Sequence, residues 1–160
     1  MGSEPAQEAL DRYKDIGLAA IAYNIQKQEG LIPPGQEAFY KNFHQVWKDQ
    51  IDKQYQENEL EKLEKLVQNL TVVHKITGDI DFVEYIKETT GYDYDLFGNI
   101  YERIDKIISR NRIANRKEKK EVLTMIEIYR RTSAGEESEA LLINLLDAFD
   151  LEQLAKKHSL

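Results

Sequence analysis

The chain lacks cysteine altogether and has only three prolines, eight glycines and one tryptophan among its 160 residues. The absence of cysteine excludes disulfides, thiolate zinc sites and cysteine nucleophiles. Glycine and proline are too scarce for an all-β fold, which needs turn residues at intervals of about 8–12 positions. The longest apolar run, at 16–25, is shorter than the roughly 20 residues that cross a bilayer, so we predict no membrane span.

Catalytic signatures are also missing. The chain contains no G-x-S-x-G, P-loop, G-x-G-x-x-G or S-x-x-K pattern, so we expect neither enzymatic activity nor a cofactor. Its 41% hydrophobic and 32% charged residues are typical of a soluble globular protein. No signal-peptide pattern precedes the first apolar run. We therefore expect a cytoplasmic protein, with a secreted protein whose leader has been removed as the alternative.

Helical periodicity dominates the sequence, and no segment alternates with a period of two. We predict an all-α fold, a single-domain irregular helical bundle of five to seven helices over 1–160. The first helix begins near Ser3, a candidate N-cap, and ends at Glu29 before Gly30. Its second half is apolar on nearly every face, which predicts burial in the middle of the bundle. Small residues there, among them Gly17, allow a neighbouring helix to pack closely.

Two apolar stripes follow the Pro33-Pro34-Gly35 break, and they predict one long helix over about 36–77. No proline or glycine occurs between them, although a turn near 56–59 is the alternative. Seen as one helix, the segment would span roughly 60 Å. The first stripe comprises Phe39, Phe43, Val46, Trp47, Ile51 and Tyr55, and the second comprises Leu60, Leu63, Val67, Leu70 and His74.

Start and stop signals divide the second half of the chain into shorter helices. Gly78 ends the long helix, and three pairs of a capping residue and a glutamate three positions later open new ones. An aspartate, Asp93 or Asp95, is expected to cap the helix between the first and second of these, and Asp150 a final short turn. The three pairs are Asp81 with Glu84, Asn115 with Glu118, and Ser133 with Glu136.

Charge is distributed in two opposing blocks. Residues 78–102 contain seven acids and one lysine, a net charge of −6, and residues 103–131 contain ten basic residues and four acids, a net charge of +6. We interpret the acidic block as a possible internal hinge near 78–95 and as a candidate partner surface. The residues of that surface are Asp79, Asp81, Tyr92, Asp93, Tyr94 and Asp95.

The acidic block contains two fragments that resemble halves of an EF-hand calcium loop. Residues 78–84 match the second half, but Val73 and Lys75 occupy positions where the cation needs oxygen ligands. Residues 93–100 match the first half, but Ile104 stands where the bidentate glutamate belongs. We therefore predict that the aspartates cap helices and that the chain has no metal site, with a divalent ion near 78–102 as the alternative. If the chain turned near Asn58, His44 and His74 would become a candidate zinc pair.

The basic block supports an alternative function, nucleic-acid binding through a basic turn at 110–120, because phosphate contacts dominate such binding. The acidic pI of about 5.1 and the absence of interleaved aromatic residues argue against it. The candidate basic patch consists of Arg110, Arg112, Arg116, Lys117, Lys119 and Lys120.

Together these features favour a non-enzymatic protein–protein interaction or regulatory module. The partner would be another protein or a second copy of this chain. Tyr40, His44 and Trp47 form a candidate aromatic groove for it, because Tyr and Trp are favoured at binding hot spots. An enzyme or metal-binding protein with a dispersed site is the third alternative.

Overall fold

A computed structural model describes residues 5–132 and 135–158, and over these residues the chain forms seven helices and no strand. This confirms the predicted all-α bundle of five to seven helices. The expected caps Ser3 and Ser133 lie outside the described residues. The helices are α1 (Ala6–Gln28), α2 (Glu37–Gln56), α3 (Leu60–Ile76), α4 (Ile80–Thr90), α5 (Ile100–Arg110), α6 (Arg116–Arg131) and α7 (Glu136–His158).

The chain divides into two compact units. The first comprises the residues up to Val72 together with Asp81–Tyr94, and the second comprises Val73–Ile80 together with the residues from Asp95 onward. The single domain over 1–160 and the hinge near 78–95 stay predictions. None of the described helices combines the length and the apolarity that crossing a membrane requires.

In the first unit α1 is the central helix, as its sequence predicted. Most residues from Ile16 to Tyr23 are buried, and α1 packs against α2 and, at Gly17, lies close to α3. Gly17 makes this contact close, because a Cβ atom there would lie 2.8 Å from Cδ1 of Ile51 and 3.3 Å from Cγ2 of Val67. At the edge of the contact, the Tyr55 hydroxyl donates a hydrogen bond of 2.6 Å to Oδ1 of Asp11. That bond lowers the pKa of the Asp11 carboxyl and raises the pKa of the Tyr55 phenol.

The prediction of one helix over 36–77 is wrong, because the chain turns between α2 and α3. Asn58 adopts a left-handed conformation with φ of 56°. The Asn58 N–H donates to the Tyr55 carbonyl at 3.1 Å, and the Glu59 N–H donates to the Gln54 carbonyl at 2.9 Å. These two bonds form a Schellman motif, which satisfies carbonyls at the end of a helix. Asparagine tolerates the left-handed conformation better than other residues with a side chain, so no glycine is needed here.

The second unit is built on α6, which packs against α5 on one side and α7 on the other. The predicted cap of α6 is confirmed: Oδ1 of Asn115 accepts a hydrogen bond of 2.9 Å from the Glu118 N–H. The Glu118 carboxylate in turn accepts from the Ala114 N–H at 2.8 Å. The buried core consists of Ile100, Ile104, Ile107, Ile113, Val122, Met125, Ile126, Ile128, Leu142, Leu145 and Phe149.

Three expected helix boundaries are wrong. Helix α4 begins at Ile80, so Asp79 rather than Asp81 immediately precedes it. Helix α5 begins only at Ile100, well after the expected caps Asp93 and Asp95. Helix α7 continues to His158, so Asp150 lies inside it and forms an ion pair with Lys119 instead of capping a final turn.

The end of α3 lies directly against α6. Gly78 has φ of 63°, and a Cβ atom there would lie 2.9 Å from both the Ile128 nitrogen and the Thr124 oxygen of the backbone. The Thr124 hydroxyl donates to the Ile76 carbonyl at 3.4 Å, so α6 also supplies a donor for this helix end. Gly78 therefore has two functions: it ends α3, and it allows the two backbones to approach.

We predict that Gly78→Ala lowers the free energy of unfolding by about 3 kcal/mol, because it adds a backbone clash to the left-handed strain. Urea denaturation measures the change. The matched control is Gly98→Ala, in the same unit and at φ of 59°, where the nearest atom to a new Cβ is 3.7 Å away. The control should lose only about 1 kcal/mol. Equal losses in the two variants would contradict the close backbone approach at Gly78.

Candidate functional site

The candidate acidic surface includes one residue that is not on the surface. Asp79 is only 7% exposed, and its Oδ2 lies 3.0 Å from Nδ1 of the buried His74. Its Oδ1 lies 3.7 Å from Nη1 of Arg131, and the Arg131 guanidinium also donates to the Thr77 carbonyl at 3.5 Å. The proposed role of Asp79 as a partner contact is therefore corrected. Its carboxylate joins the end of α3 to the end of α6 within the second unit.

The other members of the acidic surface belong to both units. Asp81 and Asp93 are exposed in the first unit, and Asp95 is exposed in the second. Asp93 forms an ion pair of 3.0 Å with Lys87. Tyr94 is half-buried, its hydroxyl lies 3.0 Å from the Thr71 hydroxyl, and burial raises the pKa of its phenol. Tyr94 therefore contacts the interior of its unit, and Tyr92 in the same segment is also half-buried.

Half of the candidate basic patch is engaged by carboxylates. Arg110 pairs with Glu118 and also donates to the Arg112 carbonyl at 2.9 Å. Arg112 lies 3.3 Å from the Glu152 carboxylate, and Lys119 lies 2.8 Å from that of Asp150. These contacts reduce the positive potential that a nucleic-acid phosphate would meet along the turn at 110–120.

The three remaining members of the patch do not share one surface of α6. Arg116 and Lys120 lie with Lys119 on a groove between α6 and α7, whereas Lys117 is exposed and does not line that groove. Two further lysines from the end of α7, Lys156 and Lys157, complete the groove. The candidate patch did not include them, because Lys156 lies 36 positions beyond Lys120, the last residue of that patch.

Only part of the candidate aromatic groove exists. A cavity of about 250 Å³ opens between the end of α1 and the first half of α2. Tyr40 and His44 line this cavity, but Trp47 does not. The Nε2–H of His44 donates a hydrogen bond of 2.8 Å to Oε1 of Gln28. The cavity, which we call the His44 cavity, is lined by Ile25, Gln28, Ile32, Glu37, Tyr40, Lys41, His44, Gln45 and Lys48.

The surroundings of His44 disfavour the protonated imidazole. Burial lowers its pKa, and the nearby Lys48 ammonium lowers it further. The other charged groups that line the cavity are Lys41 and Glu37. The Nε2–H of His44 is engaged by Gln28, so the ring serves as a buried hydrogen-bond donor between α2 and α1.

The first apolar stripe of α2 is divided between two faces of the helix. His44 and Ile51 are buried, whereas Phe39, Phe43 and Val46 are 66%, 47% and 50% exposed. These three residues, which we call the α2 ridge, follow the spacing i, i+4, i+7 and lie on one face. The Phe43 ring also contacts the Trp47 ring edge-on, with 6.4 Å between the centroids. The apolar stripe in the sequence included residues of both faces, and it did not indicate which face another helix would cover.

Within residues 5–132 and 135–158, no group of three or more histidine, aspartate or glutamate residues is arranged to hold a metal ion. His44 and His74 each have a different partner, Gln28 and Asp79 respectively. No protein-family model, curated protein or solved structure matches this chain. The case for a function therefore depends on the geometry of the chain itself.

We predict that acid weakens the fold through His44. Its pKa is lowered in the folded state, so the unfolded chain takes up the proton more readily. The stabilisation is complete above about pH 6.5, the unfolded value, and is lost as the pH falls below it. Denaturant titrations between pH 7.5 and 5 measure this loss. His44→Gln keeps a polar side chain but cannot titrate, so its stability should depend less steeply on pH. An equally steep dependence in that variant would contradict the prediction.

Proposed function

We propose that this chain is a non-enzymatic protein–protein interaction module and that α2 is its contact element. The observation that supports this proposal is the α2 ridge, formed by Phe39, Phe43 and Val46. Its two phenylalanines are about half or more exposed on one helix face. Adjacent large apolar side chains that remain in contact with water commonly mark binding surfaces.

The chemistry of the ridge indicates the kind of partner. Apolar anchors at i, i+4 and i+7 match the recognition mode in which one helix inserts into an apolar groove of another protein. The partner is therefore a protein with an apolar groove about two helical turns long. Each phenylalanine would bury a large apolar area there, and the Phe43–Trp47 ring contact already orders part of the surface before binding.

The alternatives receive less support from the same geometry. Nucleic-acid binding through 110–120 is weakened because Arg110, Arg112 and Lys119 are paired with carboxylates. An enzyme built around His44 receives less support, because the described side chains that line its cavity include no serine, threonine or cysteine that could act as a nucleophile.

The test compares capture of a partner by three forms of the immobilised protein: the wild type, Phe39→Ser/Phe43→Ser, and Leu151→Ser/Leu154→Ser. The leucines are a matched control, because they are also an exposed apolar pair but lie on α7. We expect the phenylalanine variant to lose the partner, with binding of the purified partner weakened at least about tenfold. The control should bind like the wild type.

Stability and self-association complete the experiment. Both double variants replace exposed side chains, so each substitution should change the free energy of unfolding by no more than about 0.5 kcal/mol. A second copy of the chain as partner would show in light scattering as a mass near twice 18.7 kDa, which falls to 18.7 kDa in the phenylalanine variant. Unchanged binding by the phenylalanine variant would overturn the proposal.

A further inference from the structure

We propose that the groove between α6 and α7 binds a small ligand that carries several phosphate groups. The groove has a volume of about 640 Å³, within the range of small-molecule sites. We call it the basic groove. Side chains at i, i+3, i+4 and i+7 of α6 form one wall, and side chains at i, i+4, i+7 and i+8 of α7 form the other. The α6 wall consists of Arg116, Lys119, Lys120 and Leu123, and the α7 wall of Phe149, Gln153, Lys156 and Lys157.

Positive charge is concentrated in this concave surface. Five cationic side chains line it, and Asp150 is its one carboxylate. Asp150 pairs with Lys119 at 2.8 Å, whereas Arg116, Lys120 and Lys157 form no ion pair with a carboxylate of the described residues. Like charges on low-dielectric walls focus the field into the groove and attract anions. An anion bound there would relieve the repulsion among the cations.

The basic residues around the groove behave differently. Arg103 lies 2.6 Å from Glu121, Arg110 pairs with Glu118, and Arg112 lies 3.3 Å from Glu152. The positive field is therefore local to the groove and does not continue along the second unit as a track. A nucleic-acid backbone needs such a track, whereas a compact ligand fits one concave site.

The residue types favour phosphate over a single carboxylate. Four of the five cations are lysines, whose ammonium groups act as rotatable point charges toward phosphate oxygens. Several cations converge on one cavity, which matches an anion with more than one negative charge. Leu123 is 42% exposed on the α6 wall, so the groove also offers an apolar contact to the organic part of a ligand.

Isothermal titration calorimetry with inorganic tripolyphosphate at about 150 mM salt tests the proposal. We expect saturable one-to-one binding that Lys120→Ala/Lys157→Ala weakens at least about tenfold. The matched control is Lys75→Ala/Lys106→Ala, which removes two exposed lysines of the same unit that do not line the groove. The control should change the affinity less than about twofold. No binding by the wild type, or equal weakening in the two variants, would overturn the proposal.

A second variant gives a gain in binding that misfolding cannot produce. Asp150→Asn removes the one carboxylate of the groove and releases Lys119, so tripolyphosphate should bind about threefold more tightly. Unchanged or weaker binding by this variant would contradict the role of the groove cations.

Further ligands identify the source of the phosphate. Binding to phosphatidylcholine vesicles that contain phosphatidylinositol bisphosphate, with no binding to vesicles that lack it, assigns the groove to a lipid headgroup. Binding of a nucleoside triphosphate without vesicle binding assigns it to a free phosphate ligand. Tighter binding of a single-stranded oligonucleotide than of tripolyphosphate would overturn the assignment to a small ligand.

Discussion

Residues in the left-handed backbone conformation set the lengths of the helices from α1 to α5. Gly30, Asn58, Gly78, Gly91 and Asn111 all have positive φ, and each lies within two residues of a helix end. No disulfide holds the segments together, and proline is scarce, so the positions of the turns depend on these residues. At Asn58, Gly78 and Asn111 the chain forms the paired bonds of a Schellman motif, which satisfy carbonyls that the helix leaves free. The apolar faces can meet only because the helices stop at these points.

The sequence predicted the turns made by glycine and missed one made by asparagine. Gly78 was expected to end a helix, and it does, because left-handed backbone suits a residue without Cβ. At Asn58 the same turn depends on a weaker preference for the left-handed conformation, and the apolar stripes on either side resembled one continuous helix.

The beginnings of helices were predictable where the signal is local. The Asn115 cap was predictable because its hydrogen bond with the Glu118 N–H is local, whereas Asp79 replaced Asp81 at the start of α4 because the α3 turn immediately precedes it.

The candidate sites were harder to predict, because they depend on contacts between distant positions. The charge blocks suggested one acidic and one basic surface. In the folded chain, Arg112 pairs with a carboxylate 40 positions away, and Lys119 pairs with one 31 positions away. Periodicity placed Phe39 and Phe43 on an apolar stripe, but it could not show that α1 covers the neighbouring face through His44 and Ile51. The lysines at the end of α7 join Arg116 only through the antiparallel packing of α6 and α7, so no local motif indicates the basic groove.

The close approach at Gly78 also bears on how relatives of this chain would be recognised. Most surface positions of a helical protein accept many residues, so overall identity falls quickly as sequences diverge. Position 78 is different, because a side chain there meets the backbone of α6. Distant relatives would keep glycine at 78 and glycine or asparagine at 58 and 111, with helices of matching length between them. A pattern of three backbone-constrained positions would therefore outlast most of the sequence that surrounds it.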